Sequence, residues 1–142
     1  MEKVFLKYPK ALFWAVVCVS VAACWLARLA FVTVGVWNNA IAFNIPLPPV
    51  FIYIITISIL GGLVTWLMRM PSPKLYHLWG IALVVGGGSA NLIDRLLNHG
   101  LVWDYIPFGP IGHFNLADVC VTVGLALLVY NWWKEEKKDA QA

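Results

Sequence analysis

Acidic residues are scarce in this sequence, and where they fall is the first sign of chemistry. Of seven Asp and Glu residues, Glu2, Glu135, Glu136 and Asp139 lie in the polar tails. The other three, Asp94, Asp104 and Asp118, fall close together amid apolar sequence. An ionisable group at membrane depth is costly and as a rule faces a cavity or a partner, which makes such residues functional candidates. The plainer account is interfacial carboxylates wetted by solvent or tied into ion pairs. That account suits a lone Asp better than three accompanied by Asn91 and Asn115. Two carboxylates sharing a partly desolvated site cannot both ionise easily, so one holds a proton while the other stays charged; this arrangement can activate water for peptide hydrolysis. Asp94 is followed directly by Arg95, which points to charge compensation and a structural role. Asp104 and Asp118 have no adjacent basic residue and form the expected pair.

These residues must be held by elements suited to lipid. Hydrophobic residues make up 61% of the chain and charged ones 12%, against roughly 25% charged in ordinary globular proteins. Four apolar stretches, Ala11–Val36, Val50–Met68, Leu78–Leu97 and Leu116–Trp133, are each near the ~20 residues a helix needs to cross a bilayer. Backbone groups in lipid must pair internally, so runs of this length read as helices. The expected fold is an all-α membrane protein of four transmembrane helices forming one domain over residues 1–142. Eight of the ten Lys and Arg residues lie in the N-terminal, 69–76 and C-terminal segments, which assigns both termini to the cytoplasmic side and residues 37–49 and 98–115 to the outer side. The net charge of +3 is therefore a topology signal, not a nucleic-acid-binding patch. Residues 44–49, Asn-Ile-Pro-Leu-Pro-Pro, are too rich in proline for a helix and are expected to form a small extended or β platform after helix one. Gly100–Phe114, with Pro107, Gly109, Pro110 and Gly112, reads as a loop. Asn91-Leu-Ile-Asp94 and Asn115-Leu-Ala-Asp118 repeat an N-L-x-D pattern that sets Asn and Asp on one helical face.

The segments Gly86-Gly-Gly-Ser-Ala-Asn-Leu-Ile-Asp-Arg95, Gly100-Leu-Val-Trp-Asp-Tyr-Ile106 and Phe114-Asn-Leu-Ala-Asp118 resemble three successive motifs of the lipoprotein signal peptidases, approximately GGAxGNxxDR, GxVVDFI and FNxAD. Asn38-Asn-Ala-Ile-Ala-Phe43 resembles a fourth, NTGAAF, in its place after helix one. The resemblance implies a bacterial inner-membrane aspartyl endopeptidase that cuts diacylglyceryl-modified prolipoproteins before the lipidated cysteine. It carries the catalytic roles to Asp104 and Asp118, and site-shaping roles to Asn38, Asn91, Asp94, Arg95 and Asn115. It implies no cofactor and no metal, a monomer among membrane phospholipid with lipidated prolipoproteins as partners, and a site toward the outer face. Helix one departs from the family, with Cys24-Trp-Leu-Ala-Arg28 where D-Q-x-x-K is usual, so that only Arg28 echoes the final basic residue. Asn39, Ala40 and Ala90 also stand where the family has Thr, Gly and Gly. These departures leave room for a different class of protein, a non-catalytic membrane scaffold binding lipopeptides or lipids.

Other motifs weigh less. Val21-Ala-Ala-Cys24 resembles a lipoprotein cleavage site, but apolar sequence continues past it and three more spans follow. His99 and His113 lack the spacing of a metal site, and Gly86-Gly-Gly88 follows no strand and precedes no Lys-Ser/Thr, so it is no phosphate loop. No Ser-x-x-Lys or Gly-x-Ser-x-Gly pattern offers a serine nucleophile. The three cysteines, Cys18, Cys24 and Cys120, all lie in apolar segments and suggest no disulfide framework. The charge distribution makes the topology testable. Reporter fusions at residue 72 and at the C-terminus should register cytoplasm and one at residue 46 the outer compartment; a cytoplasmic signal at 46 would overturn the four-span reading.

Overall fold

The computed structural model describes residues 9–39 and 48–140. Among them four helices are long and apolar enough to cross a membrane: α1 (Pro9–Ala30), α2 (Pro49–Arg69), α3 (Leu75–Leu97) and α4 (Leu116–Asp139). Hydropathy and burial run in opposite senses. The most apolar span of α2 is 11% buried within the protein, whereas the least apolar, that of α3, is 56% buried. With lipid as the solvent, apolar side chains can face outward, and the helix carrying glycines and polar groups becomes the interior. Accordingly α3 packs on α1, α2 and α4.

Three helix ends differ from the sequence expectation. Helix α1 stops at Ala30, not Val36, because the chain turns over residues 31–34 and then enters strand β1 (Val36–Asn38). Helix α3 starts at Leu75, before Leu78, where His77 Nδ1 accepts a hydrogen bond from the Lys74 backbone N–H. Helix α4 runs beyond Trp133 into its polar tail, where Glu135 pairs with Lys74 and accepts from the Tyr76 hydroxyl at 2.8 Å.

The segment 100–114, read as a loop, contains strands β2 (Val102–Asp104), β3 (Ile106–Pro107) and β4 (His113–Phe114) with a 3-10 turn at Gly109–Ile111. Strand β1 pairs antiparallel with β2, setting Trp37 opposite Trp103 and Val36 opposite Asp104, and β3 pairs antiparallel with β4. The β1–β2 ribbon brings the segments after α1 and after α3 to one end of the bundle, while Lys74 and Glu135 meet at the other. Of the extended platform expected over residues 44–49, only Pro48 and Pro49 are among the described residues, and Pro49 already begins α2, where a proline in the first turn forfeits no helical hydrogen bond.

Small residues set how closely the helices meet. A Cβ at Gly87 would lie 2.4 Å from the Ala117 carbonyl oxygen of α4, one at Gly124 would lie 2.6 Å from the Gly80 carbonyl oxygen, and one at Gly86 would lie 2.6 Å from Ser20 Cβ of α1. Backbone-to-backbone approach of this kind is the usual basis of helix association in lipid. The Gly87 contact lies one turn below Asn91 and so fixes how far α3 stands from the start of α4. Gly87→Ala should destabilise the bundle by about 1–3 kcal/mol, the usual cost of overpacking, whereas Gly61→Ala on α2, where nothing lies within 4 Å, should be tolerated. Thermal unfolding of the two variants in detergent checks this.

Candidate active site

The site is built where three chain segments end. Asn115 is the N-cap of α4, with extended backbone (φ −128°, ψ 178°). Its side-chain oxygen accepts from the Asp118 N–H at 3.1 Å, and its own N–H donates to Asp118 Oδ2 at 3.0 Å. This reciprocal capping box satisfies donors that a helix start leaves open and locks the Asp118 carboxylate at the positive end of the helix, where negative charge is favoured. The Asn115 amide has two further donors: Nδ2 donates to Asp104 Oδ1 at 2.8 Å and to Asn91 Oδ1 at 3.0 Å. Asn91, on the last turns of α3, in turn donates from Nδ2 to Asp118 Oδ1 at 2.8 Å. Asp104 is placed by the end of β2 and receives a second donor, Asn38 Nδ2 of β1, on Oδ2 at 2.8 Å. Asp104, Asp118, Asn38, Asn91 and Asn115 therefore form one connected network, in which Asn115 touches both carboxylates.

Asp104 is only 3% exposed. Burial pushes its carboxyl up to about 6; the N–H donors of Asn38 and Asn115 and the charge of Arg95 work against that rise, and the charge of Asp118 adds to it.

Asp94 lies apart from this network, 4% exposed. Its carboxylate accepts from Asn98 Nδ2 at 2.8 Å and from the Trp103 backbone N–H at 2.8 Å, and it forms an ion pair with Arg28 Nε at 2.7 Å. The direct charge partner of Asp94 is thus Arg28 of α1, while the neighbouring Arg95 acts on it more weakly. Consecutive residues on a helix do not face each other; Asp94 points toward α1 and β2, whereas Arg95 Nη1 donates to the Asn91 carbonyl oxygen at 3.5 Å and acts electrostatically on Asp104. The repeated N-L-x-D pattern likewise hides a difference, because Asn115 bonds the Asp of its own repeat and Asn91 bonds the Asp of the other.

Sequence reasoning gave Arg28 no role in the site, although it is one of only two basic residues outside the tails and the 69–76 segment. Its guanidinium carbon lies 5.6 Å from the Trp25 ring centroid and 5.8 Å from that of Trp37. Through Asp94 it holds the backbone at Trp103, the residue before Asp104. Tyr105 supports the other side: its hydroxyl accepts from the Leu116 N–H at 3.1 Å, and its ring stacks on Phe31 with centroids 5.1 Å apart. A small cavity between α1, α3, β2 and α4 is lined by Cys24, Arg28, Ala90, Asn91, Tyr105 and Asn115, among others. Among the described residues no group of three or more His, Cys, Asp or Glu side chains is placed to hold a metal ion.

Four candidate spans, with a pair of networked carboxylates at one end of the helix bundle, define a polytopic membrane protein. The signal peptidase (SPase) II family matches residues 8–134, and the chain belongs to that family. Lipoprotein signal peptidases of Streptococcus pyogenes serotype M5 (strain Manfredo) and serotype M28 (strain MGAS6180) are each 35% identical to it over 101 residues, 70% of this chain. The match spans 66% of the length of those relatives. Two bacterial membrane enzymes solved by the in meso method share the fold. The one at 2.3 Å resolution has a TM-score of 0.81 and 25% identity over 91% of this chain and 92% of its own. The one at 1.9 Å has a TM-score of 0.67 and 26% identity over 92% and 96%.

The ion pair yields a measurable expectation. Arg28→Met leaves the buried Asp94 charge without its cation and should cost about 3–5 kcal/mol of stability. Adding Asp94→Asn, which removes the stranded charge, should recover part of that loss in thermal unfolding.

Proposed function

We propose that the protein is a lipoprotein signal peptidase, an aspartic endopeptidase that removes signal peptides from diacylglyceryl-modified prolipoproteins by cutting before the lipidated cysteine. The observation that carries this reading is the double contact of Asn115, which holds Asp104 and Asp118 in a single hydrogen-bonded unit. In the mechanism, water held between the two carboxylates attacks the scissile carbonyl. Asp118, accepting N–H bonds at a helix start, takes the part of the base. Asp104, buried and with its carboxyl pushed up to about 6, carries the proton that polarises the carbonyl oxygen. Asn91 and Asn115 orient the carboxylates, Asn38 steadies Asp104, Arg95 balances the charge of the pair, and Asp94 anchors the β2 backbone through Arg28. The termini face the cytoplasm and the dyad the outer side, where the lipidated cysteine of a substrate would sit among phospholipid headgroups. No cofactor enters this scheme, and the protein acts as a monomer.

Cleavage of a diacylglyceryl prolipoprotein by the purified protein is the direct test. Asp104→Asn and Asp118→Asn should each lower the rate by about 10²–10⁴-fold with folding nearly intact. The double variant should be no worse than either, because the pair acts as one unit. Chelators should leave the rate unchanged. In the unaltered protein kcat/KM should fall as pH rises through an apparent pKa at or above about 6, where Asp104 loses its proton. Substantial cleavage by Asp118→Asn would sink the mechanism, and inactivity of the unaltered protein on several lipidated substrates would favour a non-catalytic lipid-binding scaffold.

A further inference from the structure

The mechanism leaves one buried nucleophilic group of the site cavity unused. Cys24 of α1 lines that cavity and is only 5% exposed. It packs in one apolar cluster with Ala90 of α3, Ala117 of α4 and Cys120 of α4. The Cys24 and Cys120 thiols lie close enough to act on each other electrostatically. Space for this meeting is left by α3, where a Cβ at Gly87 would come within 3.0 Å of Cys120 Cβ. Both thiols lie near the β-ribbon end of the bundle. Cys24 is about 9 Å below the end of α1 at the helical rise of 1.5 Å per residue, and Cys120 is half-exposed on the second turn of α4. Cys18, the remaining cysteine, is exposed on α1 and outside the cluster.

The geometry points to Cys24 and Cys120 as a redox-active dithiol whose oxidation to a disulfide ties α1 to α4 beside Asp118 and closes the site cavity. An external organic disulfide is a sufficient oxidant. The more accessible Cys120 attacks it as thiolate, its S–S bond breaks, and the departing thiolate takes up the proton. Cys24 then displaces the second thiol from the mixed disulfide. In sum the two cysteines lose two electrons and two protons, and the reagent is reduced to two thiols. A disulfide holds its Cβ atoms about 3.8 Å apart, closer than two thiols in contact require, so the bond draws α1 inward over the cavity wall. A shift on the order of 1 Å in a catalytic constellation can cost about 10²-fold in rate. Oxidation therefore switches the protein off and reduction restores it.

The inhibitory half of this inference rests on the peptidase reading; the bond itself does not. The test uses the full chain in detergent or nanodiscs, with Cys18→Ala so that only the pair remains. The probe is dipyridyl disulfide, and the readouts are alkylatable thiols by intact mass and prolipoprotein cleavage. After oxidation two alkylatable thiols should fall to none in a monomer, and cleavage should fall by ten- to a hundredfold and return with a reducing phosphine. Cys120→Ala in the same background should keep its own rate within twofold under the same treatment. Two thiols remaining after oxidation, disulfides only between chains, or an intramolecular disulfide with cleavage unchanged would each overturn the proposal. Absence of cleavage before any oxidant is added would instead count against the peptidase reading, with thiol loss still reporting on the bond.

Discussion

Asn115 commits its backbone N–H and its whole side-chain amide to the site, and most of the architecture can be understood as the means of keeping it there. Its backbone N–H and side-chain oxygen are committed to Asp118, and both amide protons to Asp104 and Asn91. Such a residue must stand at the junction of extended and helical backbone. Only an N-cap leaves its own N–H free for a side chain while its side chain reaches the N–H three residues on. The β3–β4 pair delivers the chain extended to that point, and the helix begins immediately after. At 5% exposure Asn115 competes little with water for these partners, which is what makes a connected polar network stiff rather than merely tolerated.

The glycines of α3 and the ion pair of Asp94 serve the same end from different sides. Close approach at Gly87 sets the separation across which Asn91 reaches Asp118. The Arg28–Asp94 pair, with the Trp103 N–H on the same carboxylate, sets the height of β2 and hence of Asp104. One carboxylate is positioned by helix packing and the other by a strand pinned to a buried charge. Their relative geometry thus depends on α1, α3 and α4 together, while α2 packs mainly on α3 and contributes through the Tyr53 hydroxyl, which donates to the Arg95 carbonyl oxygen at 3.2 Å.

How much of this was legible in the sequence follows from the length scale of each feature. The helices could be read because lipid forces long apolar runs, and the start of α4 at Leu116 could be read from the polar pair Asn115 and Asp118. Strands of two or three residues carry no periodicity to read, so β2, β3 and β4 were hidden in a segment rich in Gly and Pro. The partner of Asp94 was hidden for a different reason. Adjacency in sequence suggested Arg95, but the pairing depends on how α1 is rotated against α3, which no local pattern encodes. A count of charges would have pointed the right way, because Arg28 is a basic residue inside a span and needs a carboxylate that only another span can supply. The early end of α1 was masked by Phe31–Val34 and Val36, residues as compatible with an apolar helix as with a turn and a strand.

The Arg28–Asp94 pair also has a history that follows from the direction of synthesis. Ribosomes deliver α1 to the bilayer well before α3, so Arg28 enters lipid ahead of its counter-charge. Sitting two residues from the end of α1, it can extend its guanidinium to the headgroups in the interim. In the folded bundle Asp94 of α3 meets that guanidinium with a carboxylate, so its charge is balanced within the protein. The insertion cost of a charge in the first span thus becomes a tie between the first helix and the third.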